Sequence, residues 1–523
     1  MSVRISTAQF YNTNSTNYTN NFAKLEKTRQ EASDGIRVRT AADDPVAAAR
    51  LLQLEQQQNM LKQYSGNITS VRNSLGSAES TLKSIGTILQ RVNELGISSG
   101  NASFTDSDRK ANADELEALE EQLFSLMNSK DENGKYLFSG SKGDTPPYVR
   151  NADGTYTYQG DQTQLKLQVG DALSLAANET GYAAFEQALN TSRSQTSLTA
   201  PAVDDGRVSL SNGQVSGSAV YNDRFRSGEP YSIEFTSSTE FKITDASGTD
   251  VTLEATQGGK FDPSGNNTEI SFRGVDLRLN ISFQAGDSAN PDAAIAGHTF
   301  SLTSKADEIS GIRSPGNASS SQVSGATVTD PVAYKAAFPE GAVLKFTSAT
   351  DYELYASPVS ADSRPVASGT LVGNSATAMG VQIDLTGPAA AGDSYAIKVD
   401  THQNQNILDT ISKLRTALKT PIDSDPVAKQ NFNAALDSAI GNIASATNQV
   451  SSSISSIGGR GQALDVQAET NEALSNENSL TQKSLRESDQ AEVMLRLQMQ
   501  TNMLQASLQA YAKVAGLSLV NYI

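Results

Sequence analysis

Residues 490–516 read QAEVMLRLQMQTNMLQASLQAYAKVAG, and this stretch decides the fold class of the chain. Its apolar positions recur in steps of three and four, which is typical of a coiled-coil seam on one long helix. The seam positions are Met494, Leu497, Thr501, Leu504, Leu508, Tyr511 and Ala515. A similar ladder begins at Leu436, so one continuous helix from near Ala428 to Gly516 would span roughly 130 Å. We expect it to bend at Gly458-Gly459-Arg460-Gly461 and to bury its stripe on partners.

The composition limits the classes of function that the chain can have. Its 523 residues predict three or four domains, and 37% apolar residues with 6% aromatics predict a lean core. The net charge of -17 argues against a nucleic-acid partner, which needs a concentrated basic face. The absence of cysteine excludes disulfides and thiolate chemistry. We expect no membrane partner and no cleaved secretory signal, because the chain lacks the apolar runs that both require.

The order of patterns along the chain predicts a multidomain α+β protein. Both chain ends build one long α-helical coiled coil or bundle, and two tandem β-rich modules are inserted centrally. In the first half we expect an N-terminal arm over 1–44, disordered in a monomer and helical on assembly, then the N-terminal half of the helical core with a β-hairpin over 45–204, and a β-module over 205–313. In the second half we expect another β-module over 314–400, the C-terminal half of the helical core over 401–480, and an assembly helix over 481–523.

The two β-modules are predicted from an internal repeat. Phe235-Thr236-Ser237-Ser238-Thr239-Glu240-Phe241-Lys242-Ile243 matches Phe346-Thr347-Ser348-Ala349-Thr350-Asp351-Tyr352-Glu353-Leu354 type for type. Further along, Gly274-Val275 has its counterpart in Gly380-Val381. A repeat of this length indicates two similar folding units.

A start signal for the N-terminal core helix lies at Asp43-Asp44-Pro45. Asp44 can cap free N–H groups, Pro45 suits the first helical position, and Asp43 favours the positive end of the helix dipole.

Residues for catalysis are scarce. The two histidines, His298 in a predicted strand and His402 at a module boundary, lie in different modules and are interpreted as structural. The stretch from Asp245 to Asp250 resembles half of a calcium loop but lacks the bidentate Glu, so a hairpin turn is the preferred interpretation. We therefore expect no enzymatic activity, no cofactor and no metal site.

Both terminal stretches resemble the flagellin superfamily. The N-terminal likeness covers Ala32-Ser33-Asp34-Gly35-Ile36-Arg37 and Ala41-Ala42-Asp43-Asp44-Pro45-Val46-Ala47-Ala48-Ala49. The C-terminal likeness covers Glu487-Ser488-Asp489-Gln490-Ala491-Glu492 and the run from Leu504 to Lys513. Within the superfamily, the opening Val3-Arg4-Ile5-Ser6-Thr7, the segment Tyr136-Leu137-Phe138-Ser139-Gly140 and the tail from Leu517 to Ile523 look more like the hook–filament junction proteins than like flagellin.

This resemblance implies a structural subunit of the bacterial flagellum that forms an adaptor ring between hook side and filament. It implies type III export in an unfolded state to the extracellular hook–filament junction. The implied partners are further copies of the chain, the first hook-associated junction protein, flagellin and a cytosolic export chaperone. Two alternatives stay open: a filament-forming flagellin, and a surface adhesin that uses the β-modules.

The expected roles of the apolar stripes follow from this reading. Residues near the chain ends are expected to pack between subunits: Ile5, Phe10, Phe22, Leu497, Leu504, Leu508 and Tyr511. Residues in the well-patterned central stripe are expected to form the intramolecular bundle core: Leu51, Leu54, Leu61, Ile443, Val450 and Ile454.

Overall fold

The computed structural model describes residues 7–101, 103–151, 154–264, 268–314, 316–360, 362–423 and 426–520. Helical chain ends flank a central region of β-sheets, so the predicted multidomain α+β class is confirmed. The chain divides into two compact units. The first consists of Met1–Asn73, Lys166–Ala177 and Gly458–Ile523, and the second of Ser74–Leu165 and Asn178–Ile457.

The helices, numbered along the chain, differ widely in length. They are α1 (Thr7–Asp34), α2 (Pro45–Ser99), α3 (Asp106–Met127), α4 (Ser218–Val220), α5 (Arg226–Gly228), α6 (Pro291–Ile295), α7 (Pro331–Ala337), α8 (Ile407–Lys419), α9 (Pro426–Arg486) and α10 (Gln490–Val520). Short π-helical turns lie at Tyr182–Glu186 and Tyr221–Phe225, and short 3-10 turns lie at Thr252–Glu254, Thr256–Gly259 and Asp287–Ala289.

The strands are short and antiparallel. The first half of the chain contains β1 (Tyr148–Arg150), β2 (Tyr156–Tyr158), β3 (Lys166–Gln168), β4 (Ser174–Ala176), β5 (Ser194–Ala200), β6 (Val208–Leu210), β7 (Gln214–Val215), β8 (Tyr231–Phe235) and β9 (Phe241–Thr244). The rest are β10 (Thr268–Phe272), β11 (Val275–Ile281), β12 (Thr299–Ser304), β13 (Glu308–Arg313), β14 (Val323–Val328), β15 (Ala342–Phe346), β16 (Asp351–Ala356), β17 (Ala367–Thr370), β18 (Ser375–Ala378), β19 (Val381–Leu385) and β20 (Ser394–Asp400).

In the first unit, the hairpin β3–β4 is fastened to long helices by side-chain amides. Asn67 donates to Gln168 O (2.7 Å), and the buried Asn471 donates to Val169 O (2.9 Å). A third amide, Asn478, donates to Leu54 O (2.9 Å) on α2. The first two bonds are to carbonyls at or next to the end of β3, and the third is to a carbonyl inside α2, so each gives an amide of the seam a backbone partner. Much of the seam in this unit is therefore polar.

The glycine cluster at which we expect a bend lies inside helix α9. Gly458, Gly459 and Gly461 have open space around the position of a Cβ atom, and the helix runs unbroken to Arg486. The helix ends before residues 487–489, where Asp489 accepts a hydrogen bond from Ala491 N (2.9 Å) and so starts α10. A glycine costs only about 1 kcal/mol in a helix, so α9 tolerates all three. The carboxylate of Asp489 then caps the start of the next helix.

In the second unit, the C-terminal part of α2 packs with α3, α8 and the first part of α9. The apolar seam of α2 is fully enclosed at Leu82, Ile85, Leu89 and Val92. Gly96 brings α2 close to α8 and α9, since a Cβ there would lie 3.4 Å from Ile440. This bundle has the apolar core that the spacing predicts.

Two buried ionic contacts hold this bundle together. The guanidinium of Arg109, 4% exposed, contacts the carboxylates of Asp106 and Asp423 and lies over the ring of Phe432. Glu120, 1% exposed, accepts hydrogen bonds from Arg415 Nε and Tyr156 OH, both at 2.8 Å. Removing one member of such a pair leaves the other charge buried without a partner.

The two β-modules share one topology, except that β17 of the second has no counterpart in the first. In the first, one sheet has the order β5-β12-β8-β9, and the other has β10-β11-β6 with β7 on β11. In the second, the corresponding sheets are β13-β20-β15-β16-β17 and β14-β19-β18. The turns before β11 and β19 match as well, because Arg273 and Met379 have φ values of 47° and 46° and are each followed by a left-handed glycine.

The module boundaries differ from the expected ones. The first module starts at Ser194 rather than 205, because β5 pairs with β12. The second starts at Glu308 rather than 314, because β13 pairs along its whole length with β20. Module 1 is therefore 194–304 and module 2 is 308–400. Helix α1 likewise occupies the segment expected to become helical on assembly, and α10 of the same chain packs against it.

The enclosed seam of α2 gives a stability test. Leu82→Ala should lower the free energy of unfolding by about 2–5 kcal/mol, because it leaves a cavity in the bundle of the second unit. Leu52→Ala on the same helix should change it by less than about 0.5 kcal/mol, since Leu52 is 62% exposed. Urea unfolding followed by circular dichroism measures both. Equal losses in the two variants would contradict the assignment of the core.

A charge cluster in module 1 gives a pH test. Burial raises the pKa of the Asp205 carboxyl, but hydrogen bonds from His298 and Arg207 lower it more, and the resulting pKa is about 2, against 3.8 for an ordinary Asp. The carboxylate therefore stabilises the fold above about pH 4, and that contribution is lost as the pH falls through about 2.

We expect Asp205→Asn to lower the Tm at pH 6, and the difference from the unaltered chain to shrink between pH 4 and pH 2. Differential scanning calorimetry measures the two Tm values across this range. Asp223→Asn, at an exposed carboxylate of the same module, is the control and should leave the Tm unchanged. A difference for Asp205→Asn that stays constant with pH would refute the ionic role.

Candidate assembly surface

The first unit joins the two ends of the chain through two adjacent loops. Ile36, after α1, forms a β-bridge with Glu487, before α10. Arg37 N donates to Arg486 O (2.8 Å), and Ser488 N donates to Gly35 O (2.9 Å). Gly35 has φ +72°, a left-handed conformation that glycine adopts without steric cost. Because α1 ends where α10 begins, the two helices run antiparallel.

The acidic pair of the start signal has divided roles. Asp44 accepts a hydrogen bond from Ala47 N (3.0 Å) and so caps α2, with Pro45 as the first helical residue. Asp43 does not cap the helix: it accepts from Thr40 N (3.0 Å) and contacts Lys27 of α1. The bond from Lys27 and those from the loop backbone hold the pKa of the Asp43 carboxyl far below its usual range. Asp43 thus fixes the loop rather than the helix end.

The inner face of α10 packs against α1. Val493 is fully buried, Leu497 and Leu504 are half-buried, and Arg496 donates to Glu31 Oε2 (3.2 Å). Glu31 is 6% exposed, and its Oε1 lacks a hydrogen-bond partner within the described residues. An ion pair with one unsatisfied buried oxygen is a weak source of stability.

The residues predicted to pack between subunits have different environments. Phe22 is 52% exposed and stacks on Tyr18, with ring centroids 6.4 Å apart. Leu508 and Tyr511 are 44% and 43% exposed near the end of α10. Ile5 lies outside the described residues, and Phe10 lies in α1 with its side chain outside the description. Leu497 and Leu504 are therefore engaged within the chain, while Phe22, Leu508 and Tyr511 remain accessible.

A second apolar stripe on α10 was missed by the sequence analysis. Leu495, Met499 and Met503 recur every four residues and are 64%, 60% and 61% exposed. At 100° per residue this row lies well to one side of the stripe that contains Leu497 and Leu504. The sequence signal for this stripe is the repeated spacing of four residues. A search for a single seam with alternating spacings of three and four does not detect it. We call these three residues the outer stripe.

The residues predicted for the bundle core vary in burial. Leu61 is buried in the first unit, where Leu51 and Leu54 are half-buried. Ile443 and Val450 are buried in the second unit, where Ile454 is half-buried.

The two histidines considered for catalysis each have a ring nitrogen within hydrogen-bond distance of a backbone oxygen. His298 directly precedes β12, outside the strand, with Nδ1 2.8 Å from Ile295 O and Nε2 3.0 Å from Asp205 Oδ1. His402, with φ +56°, lies between β20 and α8, and its Nε2 is 2.8 Å from Ala306 O. Within the ranges that the structure describes, no cluster of three His, Asp or Glu could hold a metal ion. No helix in those same ranges is long and apolar enough to span a bilayer.

The N-terminal helices match a known family. Residues 5–143 match the bacterial flagellin N-terminal helical region. This segment contains α1, the loop at Gly35 to Asp44, α2 and α3.

Two relatives match a shorter part of the chain. The flagellar hook-associated protein 3 of Salmonella typhimurium is 33% identical over 183 residues, and that of Escherichia coli is 32% identical over 184 residues. Each alignment covers 35% of this chain and 57% of the relative. The chain thus spans little more than half the length of these two relatives.

A solved structure shares the fold. The crystal structure of flagellar hook associated protein-3 from Legionella pneumophila aligns with a TM-score of 0.51 at 20% identity, over 83% of this chain and 98% of that one. Residues 5–143 thus resemble the N-terminal helical region of bacterial flagellin, and 83% of the chain shares a fold with this solved structure.

Proposed function

We propose that the chain is a structural subunit of the bacterial flagellum, which forms an adaptor ring between the hook side and the filament. The observation that carries this proposal is the outer stripe of α10, an exposed apolar row on a helix whose inner face is already covered by α1. The names of the two relatives, both hook-associated proteins, support the same place in the flagellum.

The outer stripe fits a contact between subunits. Full burial of a Leu or Met side chain stabilises a contact by about 1.5–3 kcal/mol, so three such residues contribute several kcal/mol when a neighbour covers them. Methionine adapts its shape to different partners, which suits a ring whose two faces meet different polymers. Leu508 and Tyr511 extend the accessible apolar surface toward the end of the helix.

The proposed partners follow from this position. Further copies of the chain close the ring, the first hook-associated junction protein lies on the hook side, and flagellin lies on the filament side. A cytosolic export chaperone covers the C-terminal helix before type III export, and the protein functions outside the cell. The polar seam of the first unit, with Thr28, Glu31, Asn471 and Asn478 buried, stabilises folding less than a Leu-rich seam and so suits export in an unfolded state.

The position in the flagellum is tested by immunogold electron microscopy with an antibody raised to residues 194–400, which contain both β-modules. One gold cluster where hook meets filament is the expected result. Gold along the whole filament would identify a filament-forming flagellin instead. The same images show whether the β-modules are accessible on intact flagella.

The outer stripe is tested by substitution. Met499→Asp with Met503→Asp should abolish motility and filament attachment in cells that carry this variant as their sole copy, because burying either carboxylate in an apolar contact costs several kcal/mol. The inner face is unchanged, so the purified variant should keep its circular dichroism spectrum and its Tm.

Gln498→Asp with Gln505→Asp is the matched control, since it adds the same charge to exposed polar positions of α10. These cells should swim normally. Normal swimming of the Met499→Asp, Met503→Asp cells would remove the outer stripe from the assembly contact. An equal loss of motility in both strains would show that added negative charge on α10 prevents assembly, whichever row of the helix carries it.

A further inference from the structure

A wide polar cleft lies beside module 2 in the second unit. Its volume is about 1010 Å³. One side of it, which we call the module wall, is the outer face of β13 and β20. The opposite side, which we call the helical wall, is formed by the turn Tyr182–Glu186, α8 and the first part of α9. The lining also includes residues of the two links that join module 2 to the rest of the chain, 305–307 and 401–406.

The two modules differ in how they are attached to the helices. In module 1, Arg278 contacts the carboxylate of Asp437 on α9. Among the described residues, the ion-pair contacts that leave 308–400 end on Asp307 and His402, which belong to the links. Within the same ranges, no ion pair therefore joins module 2 to the helical wall.

The two links lie side by side and form a pivot. His402 Nε2 is 2.8 Å from Ala306 O, so one link contacts the other. Lys305 N donates to Arg193 O (2.8 Å), which anchors the first link to the segment before β5. Module 2 is thus attached at one edge, and a rotation at this edge changes the width of the cleft.

The module wall carries two carboxylates in an unfavourable position. Glu308 of β13 and Asp400 of β20 are directly opposite in the antiparallel pair, and both are exposed. Like charges in such a pair destabilise a sheet. Lys413 of the helical wall has no carboxylate within 4 Å in the described part of the chain. Burial lowers the pKa of the Lys305 ammonium, the charge of Lys413 lowers it further, and the two carboxylates raise it, so all three charges lie near this one group.

A second pair of opposite charges lines the same cleft. Lys398 of β20 is exposed, and no described carboxylate lies within 4 Å of its ammonium. On the helical wall, Glu186 Oε1 accepts hydrogen bonds from Tyr148 OH (2.9 Å) and Asn406 Nδ2 (3.0 Å), which are both neutral donors. Burial raises the pKa of the Glu186 carboxyl, and the charge of Lys398 acts in the opposite direction. The carboxylate thus lacks a direct cationic partner, and the module wall carries one.

We propose that this cleft closes: module 2 turns about its links until Lys398 contacts Glu186. The same movement brings Lys413 to the carboxylates of Glu308 and Asp400, and so relieves their repulsion. Ion pairs in partly exposed positions stabilise weakly and are screened by salt, so we expect an open and a closed form whose ratio depends on ionic strength. The structure shows the open form. This inference does not depend on the proposed place of the chain in the flagellum.

The test uses the full chain with one nitroxide spin label on each wall. The chain has no cysteine, so Ser310→Cys and Asn431→Cys supply the only two thiols. Both positions line the cleft and are exposed. Double electron–electron resonance should show two label distances at low salt. The shorter distance should lose population in about 1 M sodium chloride, where the Debye length is about 3 Å. A single distance that does not change with salt would overturn the proposal.

Charge reversal identifies the groups that pair. Lys413→Glu should lower the population of the shorter distance at least twofold, because it places a third carboxylate opposite Glu308 and Asp400. Adding Glu308→Lys to this variant restores opposite charges across the cleft and should restore the shorter distance. The altered positions are exposed, so both variants should keep the circular dichroism spectrum of the labelled chain.

Arg364→Glu is the matched control, since it reverses an exposed charge of module 2 away from the cleft. It should leave both label distances and their populations unchanged. A loss of the shorter distance in this control would show that the net charge of module 2, rather than these pairs, sets its position. Failure of the Lys413→Glu, Glu308→Lys variant to recover the shorter distance would likewise refute the pairing.

Discussion

The structure of the first unit depends on the backbone bonds between the loop after α1 and the loop before α10. The bridge of Ile36 with Glu487 holds together segments that are more than four hundred residues apart in sequence. Closing so long a loop costs conformational entropy, which local contacts must offset. The capping bonds of Asp44 and Asp489 start α2 and α10 on the two sides of this bridge, so the direction of both helices is set there.

The spacing of apolar residues predicted the long helices, and the matching stretches predicted the repeat. Both signals depend only on residues that are close together in the sequence. The Leu82 to Val92 seam follows from the 3-4 spacing, and the Phe235 and Phe346 stretches fall on matching strands β8–β9 and β15–β16. The module boundaries were not predictable in this way. Strands β5 and β13 are polar and take their place from pairing with β12 and β20, which lie far along the chain. The sequence analysis also assigned a single seam to α10 and did not distinguish its two apolar faces, since periodicity alone does not say which face α1 covers.

The duplicated modules have the same topology but different surfaces. In module 1, Arg278 on β11 contacts Asp437 of α9, and a Cβ at Gly441 would lie 2.7 Å from the side chains of Gln214 and Thr191. The position equivalent to Arg278, counted from Val275 and Val381, is Asp384 in module 2. Its carboxylate accepts from Ser375 Oγ (2.5 Å) and Gln382 Nε2 (2.9 Å) within the same sheet. The charge at this position is thus reversed between the modules. Arg278 joins module 1 to α9, whereas Asp384 is bonded within the sheet of module 2.

The two helical cores differ in the quality of their seams, and this difference bears on assembly. In the second unit, the α2 seam is closed by Leu, Ile and Val, and its charges are paired. In the first unit, Glu31 Oε1, Gln58 Oε1 and Gln500 Oε1 are buried without a hydrogen-bond partner among the described residues. Asn93 Oδ1 and Arg109 Nε of the bundle are unsatisfied as well, and each such atom costs about 1–3 kcal/mol. The pairing of α1 with α10 is less stable than the bundle because its Leu497 and Leu504 are only half-buried, whereas the α2 seam is fully buried. A helix pair of low local stability opens more readily than the core. An exposed apolar row such as the outer stripe adds favourable burial free energy when a neighbour covers it. The weakly packed seam and the uncovered stripe lie on the same helix, so in the proposed ring a neighbouring subunit would supply the apolar contacts that α10 lacks within its own chain.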